Sequence, residues 1–148
     1  MKIRIETIKN LNETEIVIRC PEIDDKVLRI QQALVDVNES KLALVRDGKE
    51  YFLPTNIILF FETVDNKTYA HSSKNIFTSK HRLYELEKLL PPSFVRVGKS
   101  TIINTGRVLS ITRNLTGPSL VHFQKSHKQI NVSRGYYKNL RDKLTERS

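Results

Sequence analysis

Between residues 42 and 132 the chain is a succession of short runs rich in Val, Ile, Leu, Phe and Thr, interrupted by turn-forming residues at Asp47-Gly48, Asp65-Asn66 and Gly117-Pro118. Runs this short and this often punctuated suit antiparallel strands and leave little room for long helices. Strands are expected at residues 42–45, 51–53, 57–62, 67–71, 75–78, 94–97, 108–112, 120–123 and 129–132. Asp47-Gly48 is a pair favoured in type I′ hairpin turns, where both central residues take positive φ. Two short helices interrupt the pattern. Leu83, Leu86 and Leu90 follow Ser79 as an N-cap and precede Pro91-Pro92. A terminal helix starts near Arg134, with Tyr137, Leu140 and Leu144 on one face and Lys138, Arg141 and Lys143 facing solvent.

The opening of the chain has a different pattern. Lys2, Ile3, Arg4, Ile5 and Glu6 alternate, as do Glu15, Ile16, Val17, Ile18 and Arg19, with Asn10-Leu11-Asn12 between them, which predicts a hairpin. Val27, Ile30 and Leu34 then fall at helical spacing behind Asp24 and Asp25, which predicts a helix over 23–37. Residues 1–45 therefore read as a small ββα unit, for dimerisation or partner binding or simply as an extension of the sheet, and residues 46–148 as the main domain. Charge divides along the same line. Residues 1–53 carry nine Lys/Arg against ten Asp/Glu, whereas residues 54–148 carry sixteen against six. A basic surface of this kind attracts polyanions, although it also suits plain solvation. Cys20 is the single cysteine, so no intramolecular disulfide forms. The charged first residues do not make a signal peptide, and the longest apolar run, 57–61, is far too short to span a bilayer, so the expected location is cytoplasmic.

Little in the chain suggests catalysis. Gly98-Lys99-Ser100 ends like a phosphate-binding loop, but Ser93 stands where its first glycine belongs, and Thr101, Ile102 and Ile103 are poor openers of the helix such a loop requires. His71, His81, His122 and His127 have no metal-ligand spacing and are expected to be solvent-exposed or to contact phosphate. No enzyme activity, cofactor, metal or small-molecule substrate is therefore expected.

The segment from Phe94 to Tyr137 places Arg, Lys, Ser, Thr and Asn between the strands, a chemistry suited to a phosphate-lined groove. Phe94, Arg96, Lys99, Ser100, Ile102 and Asn104, followed by Val132, Ser133, Arg134 and Tyr136, resemble the hallmark of the LytTR DNA-binding domain family. The apolar strand ending in Glu62 and the Leu-rich helix before Pro91-Pro92 fit the same pattern, so the resemblance covers roughly residues 53–144.

The resemblance implies a mainly β domain (α+β overall) that reads double-stranded DNA with loops between strands, as a transcriptional regulator. The implied contact loops are Asn66-Lys67-Thr68, Lys99-Ser100-Thr101 and Ser133-Arg134-Gly135. Arg134 suits the O6 and N7 of guanine, and Lys67 a base or a phosphate. Asn104 either touches DNA or bonds local backbone as a turn residue. Arg96, Lys125, His127 and Lys128 are candidates for phosphate contact or for solvation. Gly135 departs from the second basic residue frequent in the family. The first 50 residues are too short for the receiver domain of many such regulators, and standalone relatives are often encoded beside an inhibitory membrane protein. A homodimer on paired sites is the expected assembly. A β-rich RNA or single-strand binder is the alternative, and it would need exposed aromatic residues for stacking.

Overall fold

The computed structural model describes residues 1–38 and 40–145, so Glu39 and the last three residues of the second expected part lie outside it. The chain divides into two compact units, the first ending at Asp36 and the second starting at Val37.

The first unit holds most of α1 (Asp25–Asn38), which forms where the apolar spacing predicts it and runs two residues past Asp36. Asp24 caps it, its carboxylate accepting the Val27 N–H at 2.9 Å. The expected hairpin before it is not formed. Residues 1–24 contain no strand and are exposed throughout, with Ile5 87% accessible. Alternation specifies which face a strand would bury, but a two-stranded hairpin with nothing to bury that face against is marginal in water.

Among the described residues, the second unit contains ten strands and two α-helices besides two 3-10 turns. The strands and α-helices are β1 (Lys41–Arg46), β2 (Lys49–Pro54), β3 (Phe60–Val64), β4 (Lys67–His71), β5 (Ile76–Ser79), α2 (Leu83–Leu89), β6 (Phe94–Gly98), β7 (Thr101–Asn104), β8 (Val108–Thr112), β9 (Ser119–Phe123), β10 (Gln129–Val132) and α3 (Arg134–Thr145). Seven strands form one sheet in the order β2-β1-β5-β4-β3-β7-β6, and three form a second in the order β10-β9-β8. Every pairing is antiparallel. The Asp47-Gly48 and Asp65-Asn66 turns have positive φ at both positions, as type I′ hairpins require.

Alternation along the central strands sends neighbouring residues to opposite cores. Phe61 and Ile102 join Leu44, Ile58, Phe77, Leu83 and Leu86, where α2 contributes to the core on one face of the large sheet. Phe60 and Ile103 join Val97, Val121, Phe123, Val132 and Leu140, where the small sheet and α3 contribute on the other. Burial on both faces explains the unbroken apolar run at residues 57–61.

Three local expectations are corrected. Ser79 does not cap α2; its hydroxyl accepts from His81 N–H at 3.1 Å, and the helix starts after Arg82, whose N–H donates to the Glu85 carboxylate at 3.1 Å. Residues 101–104, where Thr101 is expected in a contact loop and Ile102 and Asn104 in the hallmark, form β7, paired to both β3 and β6. The strand expected at 57–62 starts only at Phe60, because Thr55–Ile57 turns as a 3-10 helix after Pro54.

Candidate nucleic-acid interface

Pairing of Glu62 with Thr101 puts the β3–β4 turn and the β6–β7 turn at the same end of the large sheet. The Thr63 N–H donates to the Ser100 carbonyl at 2.9 Å and ties the two turns together. The third loop joins them through Val97, whose carbonyl accepts from the Ser133 N–H at 3.2 Å and from its hydroxyl at 3.4 Å. Three segments far apart in sequence therefore meet at one edge. Asn66, Lys67, Lys99, Ser100, Ser133 and Arg134 are exposed there, and Thr101 is half-buried at the start of β7. The Gly98-Lys99-Ser100 segment is a turn between antiparallel strands, unlike the strand-to-helix loop that wraps a nucleotide phosphate.

Three residues expected at the DNA have other work in the fold. Thr68 is 6% exposed on β4. Asn104 is 4% exposed; its amide donates to the Ile58 carbonyl at 3.0 Å and its Oδ1 accepts the Gly106 N–H at 3.0 Å. Of its two possible roles, Asn104 therefore takes the structural one, fixing the turn after β7. Arg96 donates from Nε to the Gly98 carbonyl at 2.8 Å, from a second nitrogen to the Lys99 carbonyl, and pairs with Glu87 at 2.7 Å. Its guanidinium shapes the backbone of the Lys99 turn from within.

His71 and Lys128 also differ from expectation. His71 is 8% exposed and stacks on Phe60 with ring centroids 4.2 Å apart. The Lys128 ammonium donates to His71 Nδ1 at 3.2 Å and to the Asn75 carbonyl at 3.2 Å, while His71 Nε2 lies 2.8 Å from Glu62 Oε1. The ring therefore accepts at Nδ1 and donates from Nε2, as a neutral imidazole does. This chain of polar groups ties the β9–β10 hairpin of the small sheet to the large sheet. Spacing along the sequence could not reveal it, because 57 residues separate His71 from Lys128.

Burial first, and the Lys128 charge second, hold the His71 pKa below its ordinary 6.5, against the opposing pull of Glu62. Burial likewise lowers that of Lys128. In the unfolded chain the imidazole gains a proton below about pH 6.5, whereas the folded ring gains it only at lower pH. This contribution to stability is thus complete above pH ~6.5 and declines below it until the folded ring is also protonated. Urea midpoints measured from pH 7.5 to 5.5 are expected to fall with pH for the wild type and to fall less for His71→Gln. Equal slopes would show that His71 is not the group responsible.

Residues 48–145 match the family model of the LytTr DNA-binding domain. The chain belongs to the LytTR family. A Staphylococcus aureus (strain NCTC 8325 / PS 47) protein described as an uncharacterized HTH-type transcriptional regulator is 31% identical over 139 residues, covering 92% of this chain and 94% of that protein. A similarly described regulator from strain MRSA252 is 30% identical over the same length. Among solved structures, the LytTr DNA-binding domain of a protein described as a methyl-accepting/DNA response regulator from Bacillus cereus superposes with a TM-score of 0.65 at 27% identity, covering 71% of this chain and 96% of that one. This LytTR chain is a DNA-binding regulator. Among the described residues, five strands separate α1 from α2 and five more separate α2 from α3, so these three helices do not form a helix-turn-helix. Among the described residues, no helix is long and apolar enough to cross a membrane.

Proposed function

We propose that this LytTR protein is a sequence-specific regulator that reads the major groove of duplex DNA with its three clustered loops. The observation that carries this reading is the convergence of Asn66-Lys67, Lys99-Ser100 and Ser133-Arg134 on one sheet edge, tied together through Ser100 and Val97. A rigid sheet holds the loops in fixed register, as groove recognition needs. Lys67, Lys99 and Ser100 supply backbone-phosphate and base-edge contacts, and the Arg134 fork matches the O6 and N7 of guanine. The surplus of sixteen Lys/Arg over six Asp/Glu in residues 54–148 favours a polyanion. Single-strand binding has weaker support, because the exposed aromatics Phe52 and Tyr84 lie on β2 and α2 and not in the loops.

The protein acts in the cytoplasm in this reading. It binds paired sites as a homodimer, with residues 1–45 supplying self-association or the contact for an inhibitory membrane protein. Binding to duplex DNA from the protein's own upstream region, set against a scrambled duplex, tests the central claim. Arg134→Ala is expected to lose about 1–3 kcal/mol of the preference for the cognate duplex. Equal affinity for both duplexes in the wild type, vanishing with salt, would reduce the function to nonspecific polyanion binding.

A further inference from the structure

Next to the third loop, the β8–β9 connection and the first turns of α3 enclose a concavity lined by Arg113, Asn114, Ser119, Arg134, Tyr137 and Lys138. Its loop is folded firmly on itself. The Asn114 N–H donates to the Ser119 hydroxyl at 3.2 Å, and Asn114 Oδ1 accepts from the Thr116 N–H at 3.1 Å and the Thr116 hydroxyl at 3.2 Å. The Arg113 guanidinium lies over the Tyr137 ring, 4.8 Å from its centroid, a contact that positions the cation.

Arg113, Arg134 and Lys138 are all exposed. None of them is in an ion pair among the described residues, although Arg4, Lys80 and Arg96 each have a carboxylate partner. Three cations share one concavity with no acidic lining residue. Their mutual repulsion is relieved by an anion placed among them. Lys138 follows Arg134 by one helical turn, which puts it on the same face and about 6 Å further along the axis.

We propose that Arg113 and Lys138 form a clamp for the DNA backbone, holding phosphates beside the base edge that Arg134 reads. This rests on the reading of the three loops above and extends the footprint beyond them to the β8–β9 connection and the exposed face of α3. Arg134 belongs to both the loop cluster and the concavity, so a duplex seated on the loops brings its own phosphates to Arg113 and Lys138. The clamp adds affinity and orientation but no sequence preference, because phosphates are the same at every step.

The test uses the full chain with its own upstream duplex and a scrambled duplex across a salt series, comparing wild type with an Arg113→Gln/Lys138→Gln double variant. Each lost phosphate contact removes about 0.9 from the slope of log affinity against log salt, so the double variant is expected to lose roughly 1.8. Its ratio of cognate to scrambled affinity should stay that of the wild type. The charge-keeping Arg113→Lys/Lys138→Arg variant should restore the slope, which loss through misfolding would not predict. A wild-type slope in the Gln variant overturns the clamp. So does a wild-type slope joined to thermal stabilisation by inorganic phosphate that only the wild type shows, since the concavity would then serve a free anion. A wild type without sequence preference would instead defeat the reading of Arg134, and the slope difference would still report on the clamp.

Discussion

Phe60→Ala is expected to destabilise the LytTR domain by about 3–5 kcal/mol, the range for removing a large aromatic from a packed core. Phe60 is 3% exposed and is the ring on which two others rest. It stacks on His71 at 4.2 Å and on Phe123 at 5.5 Å, so it joins β3 and β4 of the large sheet to β9 of the small one. Losing it removes apolar contacts with both sheets and opens a void beside the His71 ring, which loses the face it stacks on. Denaturant unfolding measures the effect. Phe60→Leu, which retains most of the volume, should cost clearly less. A loss below about 1.5 kcal/mol for Phe60→Ala would mean that the two sheets collapse onto the space, and would refute this account of the interface.

Replacing Asn104 has the second large effect, through a different mechanism. In Asn104→Ala the Ile58 carbonyl and the Gly106 N–H both lose their side-chain partner. Ile58 is fully buried, and a buried acceptor left unpaired costs about 1–3 kcal/mol, whereas Gly106 is exposed and its N–H can turn to water, so a loss of about 1–3 kcal/mol is expected. Asn104→Asp separates the two bonds. The carboxylate can still accept from Gly106 but faces the Ile58 carbonyl without a proton to donate. Protonated, it regains the donor, so its pKa rises on folding and the variant's deficit against the wild type should shrink as the pH falls through that raised pKa. Measuring the deficit at pH 7 and near pH 4.5 checks the sign. A constant deficit would show that the Ile58 bond contributes nothing. Any loss of DNA binding by Asn104→Ala should track the unfolded fraction, because the side chain is buried and cannot reach a groove.

Much of the fold is legible in the amino-acid sequence. The turns at Asp47-Gly48 and Asp65-Asn66, strand β4 and the start of α3 fall where local pattern put them. The three loops that the resemblance implies are those that meet at the end of the large sheet. Inside those loops the sequence pattern is less specific. The same motif mixes residues at the surface, such as Lys99, with residues that build the surface, such as Arg96 and Asn104. Polar residue types suit both tasks, and a linear pattern does not say which hydrogen bonds are closed internally.

The amino-acid sequence by itself determined the properties that depend on neighbours a few residues apart. Period-two alternation made strands, helical spacing made α1 and α3, and Asp-Gly and Asp-Asn closed hairpins, because backbone sterics and side-chain direction act locally. Tertiary structure decided everything that depends on a distant partner. It turned Thr68 and Asn104 inward, and it brought Lys128 to a histidine 57 positions away. It also left residues 1–24 without strands despite their alternation. A strand is stable only when another strand takes its hydrogen bonds and another layer covers its apolar face, and neither condition is written in the segment that must meet it.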